Sequence, residues 1–142
     1  MENYPGYELH QIAPYIGKIR PLFARQLILK YTNINSWVWD PFCGSGTIPL
    51  ECRLLSRNII AADINPYACA ITRSKLHAPT SSEITISNLS NIFDMVKNYG
   101  VSEDNIPDWV NKFFDNQTLI ETLLLLSHLK KTRQYFIIGC LL

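Results

Sequence analysis

Residues 37–47, Trp37-Val38-Trp39-Asp40-Pro41-Phe42-Cys43-Gly44-Ser45-Gly46-Thr47, constrain the fold more than any other stretch. Trp37-Val38-Trp39 is a short apolar, aromatic run and reads as a buried strand. It ends at Asp40 in a turn built on Gly44 and Gly46. A helix follows to about Ser56, with Thr47 expected to cap it and Pro49 in its first turn, where a missing N–H does no harm. Asn58 to Ala62 reads as a second buried strand ending at Asp63. Asn65 then suits a helix cap and Pro66 a first helical position, which predicts a helix to about Leu76. The order strand, glycine turn, helix, strand, acid is the start of an α/β domain with a doubly wound parallel sheet.

The turn also constrains the chemistry. Glycines lack Cβ, so the backbone there can take tight conformations and approach a ligand closely. The N-terminus of the following helix favours a carboxylate or phosphate. Asp63 lies 17 residues after Gly46. An acid at the end of the second strand can accept hydrogen bonds from both hydroxyls of a ribose, or it can cap the helix that follows. A P-loop requires Lys after its last glycine, and Thr47 stands there instead. The dinucleotide fingerprint G-x-G-x-x-G lacks its third glycine, since Pro49 occupies that place. Asp40 would repel a pyrophosphate but suits a ligand carrying an amine and a sulfonium. Together these features favour S-adenosylmethionine.

The remaining sequence bounds the reading. The chain has 142 residues, which suits about one domain. With 13 basic and 12 acidic side chains it lacks the charge to bind nucleic acid in bulk. Residues 1–76 hold eight basic and five acidic groups, whereas 77–142 hold five and seven. Lys18, Arg20, Arg25 and Lys30 are read as a solvated face rather than as phosphate contacts. No apolar run approaches the ~20 residues that span a bilayer, and Met1 to His10 does not read as a signal peptide. The expectation is a cytoplasmic protein with free thiols at Cys43, Cys52, Cys69 and Cys140, without a metal site. Cys43 is read as a small residue filling the turn, because no basic neighbour would activate it as a nucleophile.

Turn formers at His77-Ala78-Pro79-Thr80-Ser81-Ser82 divide a motif-rich first part, 1–77, from a helical segment, 78–142. Pro21 to Tyr31 reads as a helix upstream of the turn. In the second part, Ser87 is expected to cap a helix carrying Leu89, Ile92, Phe93 and Val96 and stopping at Gly100. Pro107 to Phe114 reads as a short helix, and Asn116 to Lys131 as a strong one, with Leu119, Ile120, Leu123, Leu124 and Leu126 on its apolar face. Tyr135 to Leu142 is apolar, and its period leaves helix and strand open.

Asp40-Pro41-Phe42-Cys43-Gly44-Ser45-Gly46-Thr47 resembles the cofactor motif of amino-group DNA methyltransferases, the N6-adenine and N4-cytosine class. Asp63-Ile64-Asn65-Pro66 is similar to that family's second motif, and His10 to Lys18 to its upstream segment. The resemblance covers roughly residues 8–77. It implies a class I methyltransferase fold, partial and Rossmann-like, with S-adenosylmethionine as cofactor and DNA as partner. It implies a cofactor site formed by Tyr15, Lys18, Asp40, Pro41, Phe42, Cys43, Gly44, Ser45, Gly46, Thr47, Asp63 and Ile64. Asp40 would face the methionine ammonium, Asp63 would hold the ribose and Ile64 would pack on adenine. Tyr15 and Lys18 would line the entrance, with Lys18 reaching for the carboxylate.

One departure is large. The family's Asn/Ser/Asp-Pro-Pro-aromatic motif, which grips the target amine and stacks on the flipped base, has no counterpart. There is no Pro-Pro in the chain. Asn65-Pro66-Tyr67 lacks one proline and stands where the ribose acid belongs, so no catalytic residue is assigned. The expectation is the N-terminal, cofactor-binding piece of a longer enzyme, with the catalytic motif in a missing region or a second chain. The apolar end at Leu142 and the open sheet edges predict marginal stability in isolation. An RNA guanine-N2 methyltransferase fragment and an inactive cofactor-binding remnant are the alternatives.

Overall fold

The computed structural model of the chain describes residues 6, 8–79, 81–96 and 106–142. They gather into two compact units. The first holds the described residues up to Ala78 together with Tyr135–Leu142, and the second those of Pro79–Gln134.

The first unit opens with a single 3-10 turn, Glu8–Gln11, and then helix α1, Pro21–Tyr31. Pro21 supplies a first helical residue that needs no N–H acceptor. Thr32 closes the helix by donating both its N–H and its Oγ1 to the Ile28 carbonyl. Strand β1, Trp37–Asp40, helix α2, Thr47–Leu54, and strand β2, Asn58–Ala61, follow. The strands are parallel, with Trp37 opposite Asn58 and Asp40 opposite Ala61. Helix α3, Pro66–Leu76, starts from Asn65, whose Oδ1 accepts the Tyr67 N–H at 3.0 Å. The core lies among the helices, where Ala24 and Ile28 of α1, Leu50 and Cys52 of α2, and Ala68 and Ile71 of α3 are buried. Helix α7, Tyr135–Cys140, packs on α3. A Cβ at Gly139 would stand 2.0 Å from Ser74 Oγ, so only glycine permits that approach.

Among the described residues the fold is α/β with a two-stranded parallel sheet. A doubly wound sheet is not shown. The expectation of buried strands is corrected. Trp37 and Trp39 are 70% and 72% exposed, and Ile60 beside them is exposed. They share one sheet face by the strand's period of two, and no described element covers it. The expected end of the α2 helix at Ser56 is also revised. Ser56 adopts a left-handed φ of 59°, and the N–H groups of Ser56 and Arg57 turn back to the carbonyls of Arg53 and Cys52. This is the Schellman arrangement, which stops the helix two residues earlier.

The second unit contains helices α4, Ser82–Val96, α5, Asp108–Asn111, and α6, Asn116–Lys131. α4 begins five residues before the expected cap, and Ser87 lies inside it. Its expected stop at Gly100 lies outside the described residues. Ile92 and Val96 of α4, and Leu119, Leu125 and Leu129 of α6, form the buried seam. Asp115 caps α6 by accepting the Thr118 N–H. Among the described residues, no helix is long and apolar enough to cross a membrane.

Candidate functional site

The carboxyl ends of two adjacent parallel strands bring Asp40 and Asp63 to the same edge, and the glycine turn rises between them. Gly44 and Gly46 take φ of 50° and 75°, a region that L side chains rarely adopt. Gly46 is the residue before α2, and no side chain caps that helix. Thr47 is its first helical residue and is buried, which corrects the expectation that Thr47 caps it. The Gly46 N–H closes the turn on the Cys43 carbonyl at 2.8 Å, and the Cys43 N–H ties the turn to Ala62 beyond β2.

Asp63 fastens the turn directly. Its Oδ2 accepts the Gly44 N–H at 2.8 Å and its Oδ1 accepts the Asn65 N–H at 2.9 Å. The Asn65 bond first, then the Gly44 bond, holds its pKa below the usual carboxylate range. An ionised carboxylate has about four acceptor positions, so about two stay open toward solvent. Asp40 receives the Phe42 N–H at 3.3 Å. Its pKa is raised, chiefly by burial and further by the charge of Asp63, against the lowering effect of that bond. Two acids at one strand edge disfavour a polyanionic ligand.

A cleft of about 170 Å3 opens at the turn. Tyr15, Lys18, Asp40, Phe42, Cys43, Gly44, Ser45 and Thr47 line it, all of them expected from the sequence. Gly17, Ile19 and Ile48 complete the wall and were not expected. Gly17, at φ 80°, marks the bend that presents Lys18. Four residues expected in the site are not among the lining. Pro41 is exposed at the start of the turn, Gly46 packs behind it, Asp63 bonds to Gly44, and Ile64 projects fully exposed beside Asp63. Tyr15 stands against Gly44, where a Cβ would be 3.2 Å from its ring, and stacks with Tyr67 at 6.4 Å. Lys18 Nζ donates to the His10 carbonyl at 3.1 Å. Arg25 reaches buried Glu51 at 3.3 Å, which corrects its reading as a solvated side chain. Glu51 also bonds His10 Nε2 at 2.8 Å.

Burial first, then the nearby acids, push the Cys43 thiol up, while its contact with Thr72 opposes them. That is the opposite of what a nucleophile requires.

Sequence reasoning missed the support behind the turn. Thr72 and Lys75, three residues apart on α3, face it together. Thr72 Oγ1 donates to the Gly44 carbonyl at 3.1 Å, and Lys75 Nζ to the Ser45 carbonyl at 2.6 Å. Their only sequence signal is helical spacing with Ala68 and Ile71 on the buried face. A trans peptide sets N–H opposite C=O, so the Ser45 N–H points away from Thr72. Ser45 Oγ is buried and finds no hydrogen-bond partner among the described residues. A buried hydroxyl without a partner, in a cleft beside a glycine turn with positive φ, fits a ligand bearing an acceptor.

A larger cavity of about 310 Å3 lies in the second unit, lined by Phe93, Val96, Gln117, Ile120, Glu121, Leu124 and Leu125. Gln117 and Glu121 bond to each other there at 2.7 Å, and no other titratable group lines it.

Residues 18–74, which include the turn, Asp63 and Thr72, match the family model for DNA methylases of the N6/N4 class. The type II methyltransferase M.MjaII of Methanocaldococcus jannaschii is 32% identical over 98 residues, which cover 67% of this chain and 18% of that protein. The type II methyltransferase M.XycI of Xanthomonas campestris pv. cyanopsidis is 31% identical over 67 residues, 47% of this chain and 22% of that protein. The chain thus spans about a fifth of the length of these curated relatives. No solved structure matches. The resemblance to the amino-group DNA methyltransferases stands, carried by residues 18–74.

Proposed function

We propose that this chain is the S-adenosylmethionine-binding portion of a DNA methyltransferase acting on an exocyclic amine of adenine or cytosine. The observation that carries the reading is the glycine turn. Its backbone is held open by Asp63 in front and by Thr72 and Lys75 behind, and it leaves the Ser45 hydroxyl without a partner.

Each residue then has a task. The open acceptor positions of Asp63 take the two ribose hydroxyls, and exposed Ile64 covers one face of the adenine. The Ser45 N–H and Oγ, with the N-terminus of α2, receive the carboxylate. Asp40 places its charge toward the ammonium, and Tyr15 walls the entrance with Lys18 beside it. Pro41, Phe42, Cys43, Gly44, Gly46 and Thr47 give the turn its shape. Bound S-adenosylmethionine supplies an electrophilic methyl group, and the chain's part is to hold and orient it.

Residues 1–77 form this binding part, and 78–142 are a helical segment inserted into or continuing the same domain. With no Pro-Pro in the chain, the groups that grip the target amine belong to the rest of a longer enzyme or to a second chain. DNA is engaged through that complete enzyme, in the cytoplasm. The test is calorimetric titration of the chain and its Asp63→Ala variant with S-adenosylmethionine. Saturable binding that the variant loses supports the reading, and a folded chain that does not bind overturns it.

A further inference from the structure

Lys75 has no exposed surface. Its Nζ is committed to the Ser45 carbonyl. The ion pairs among the described residues, His10 with Glu51 and Arg25 with Glu51, leave it without a carboxylate. Burying an ammonium with no counter-ion is strongly unfavourable. Neighbouring positive charge adds to the cost, since Lys18 lines the cleft in front of the turn. A cation kept in such a place marks a site where its charge is used.

Its position shows the use. Lys75 draws the Ser45 carbonyl toward α3 as Thr72 draws the carbonyl of Gly44. The Ser45 N–H, opposite the Gly44 carbonyl, is directed away from α3, while the Gly46 N–H, opposite the Ser45 carbonyl, closes the turn on the carbonyl of Cys43, so that Lys75 acts on the cleft through its charge behind Ser45, which lines it. The ammonium thus stands behind one peptide layer, out of water, where its field is poorly screened.

We propose that Lys75 is the positioning residue and buried counter-charge for a carboxylate bound at the glycine turn, so that the cleft selects the carboxylate-bearing form of its ligand. The inference rests on the reading of the cleft as an S-adenosylmethionine site.

The test compares S-adenosylmethionine with decarboxylated S-adenosylmethionine, which keeps the nucleoside, the sulfonium and the amine. Both are titrated calorimetrically into the full chain and into its Lys75→Met and Lys75→Gln variants. Lys75→Met removes charge and donor at similar volume, whereas Lys75→Gln keeps an N–H donor. The wild-type chain is expected to favour the carboxylate form by about tenfold or more, as a poorly screened buried charge behind the turn would. Lys75→Met should lower that ratio about fivefold or more while the Ser45 and α2 contacts keep a remainder, and Lys75→Gln should lower it less. Variants that lose both ligands in step, or neither, leave the cofactor reading standing and overturn this inference. A wild-type chain that binds neither ligand removes both. Should the variants not fold, the Lys75 Nζ resonance of the 15N-labelled wild-type chain decides. It should move with S-adenosylmethionine and hold still with the decarboxylated form, and an equal response to the two overturns the inference.

Discussion

Gly46→Ala probes how tightly the turn is built. The residue sits at φ 75°, where an L side chain costs about 1–2 kcal/mol. Its new Cβ would stand 2.6 Å from Thr72 Oγ1 and 3.0 Å from Thr72 Cα and Cβ. Thr72 cannot turn aside cheaply, because its hydroxyl holds the Gly44 carbonyl and its Cα is the backbone of α3. Overpacking of this kind adds about 1–3 kcal/mol, for an expected loss of about 2–5 kcal/mol. Gly44→Ala is the internal scale. Its φ is 50°, but its Cβ meets only the Tyr15 ring at 3.2 Å, a side chain at the cleft wall that can yield. About 1–2 kcal/mol is expected there. Urea unfolding followed by far-ultraviolet circular dichroism gives both values, provided the transition is cooperative. Adding Thr72→Ala to Gly46→Ala should recover about 1 kcal/mol as a coupling energy. A Gly46→Ala chain within about 0.5 kcal/mol of wild type, or more stable than Gly44→Ala, refutes the close contact between turn and α3.

Other outcomes follow from the same packing. Burial, with Lys18 a lesser cause, lowers the Lys75 pKa from 10.5 to about 8, so the folded chain releases this proton before the unfolded chain does. Stability should therefore rise from about pH 8 to pH 10.5, by up to about 3 kcal/mol relative to Lys75→Met, and parallel pH profiles for the two chains would contradict it. Ser45→Ala removes a buried hydroxyl without a partner, so the free chain should keep its melting temperature or gain while its affinity for S-adenosylmethionine falls. A lower melting temperature with unchanged affinity would show that the hydroxyl serves the fold instead. Gly139→Val would force apart α7 and α3 at Ser74 and should cost about 2–4 kcal/mol, whereas a thermal melt like that of wild type would mean that α7 does not dock there.

The sequence was most legible where the signal is local. Pro21 and the Asn65-Pro66 pair fix where α1 and α3 begin, and the positive φ values of Gly44 and Gly46 follow from the need for a tight turn. The end of α2 was misjudged because its left-handed stop is Ser56, which carries no glycine signal. α4 starts at Ser82 because its half-buried stripe runs back from Ile92 through Leu89 to Thr85, three and four residues at a time, beyond the cap expected at Ser87. Trp37 and Trp39 read as buried because they are apolar, yet their exposure depends on what covers the sheet, which no local pattern encodes. Lys75 was illegible for the converse reason. A lysine in a helix is nearly always solvated, and its burial is decided by the turn 30 residues earlier that packs over it. At the cleft, the motif residues were readable one by one, but the shared use of Asp63 by the turn and the grip of α3 on two carbonyls emerge only in three dimensions.

The most direct measurement is the calorimetric titration of the folded chain with S-adenosylmethionine beside Asp63→Ala. Asp63 both fastens the Gly44 N–H and offers the remaining acceptors for the ribose, so the account predicts one saturable site in the wild-type chain and none in the variant at the same concentrations. Undiminished binding by a folded Asp63→Ala chain, or no heat of binding from a folded wild-type chain, would contradict it.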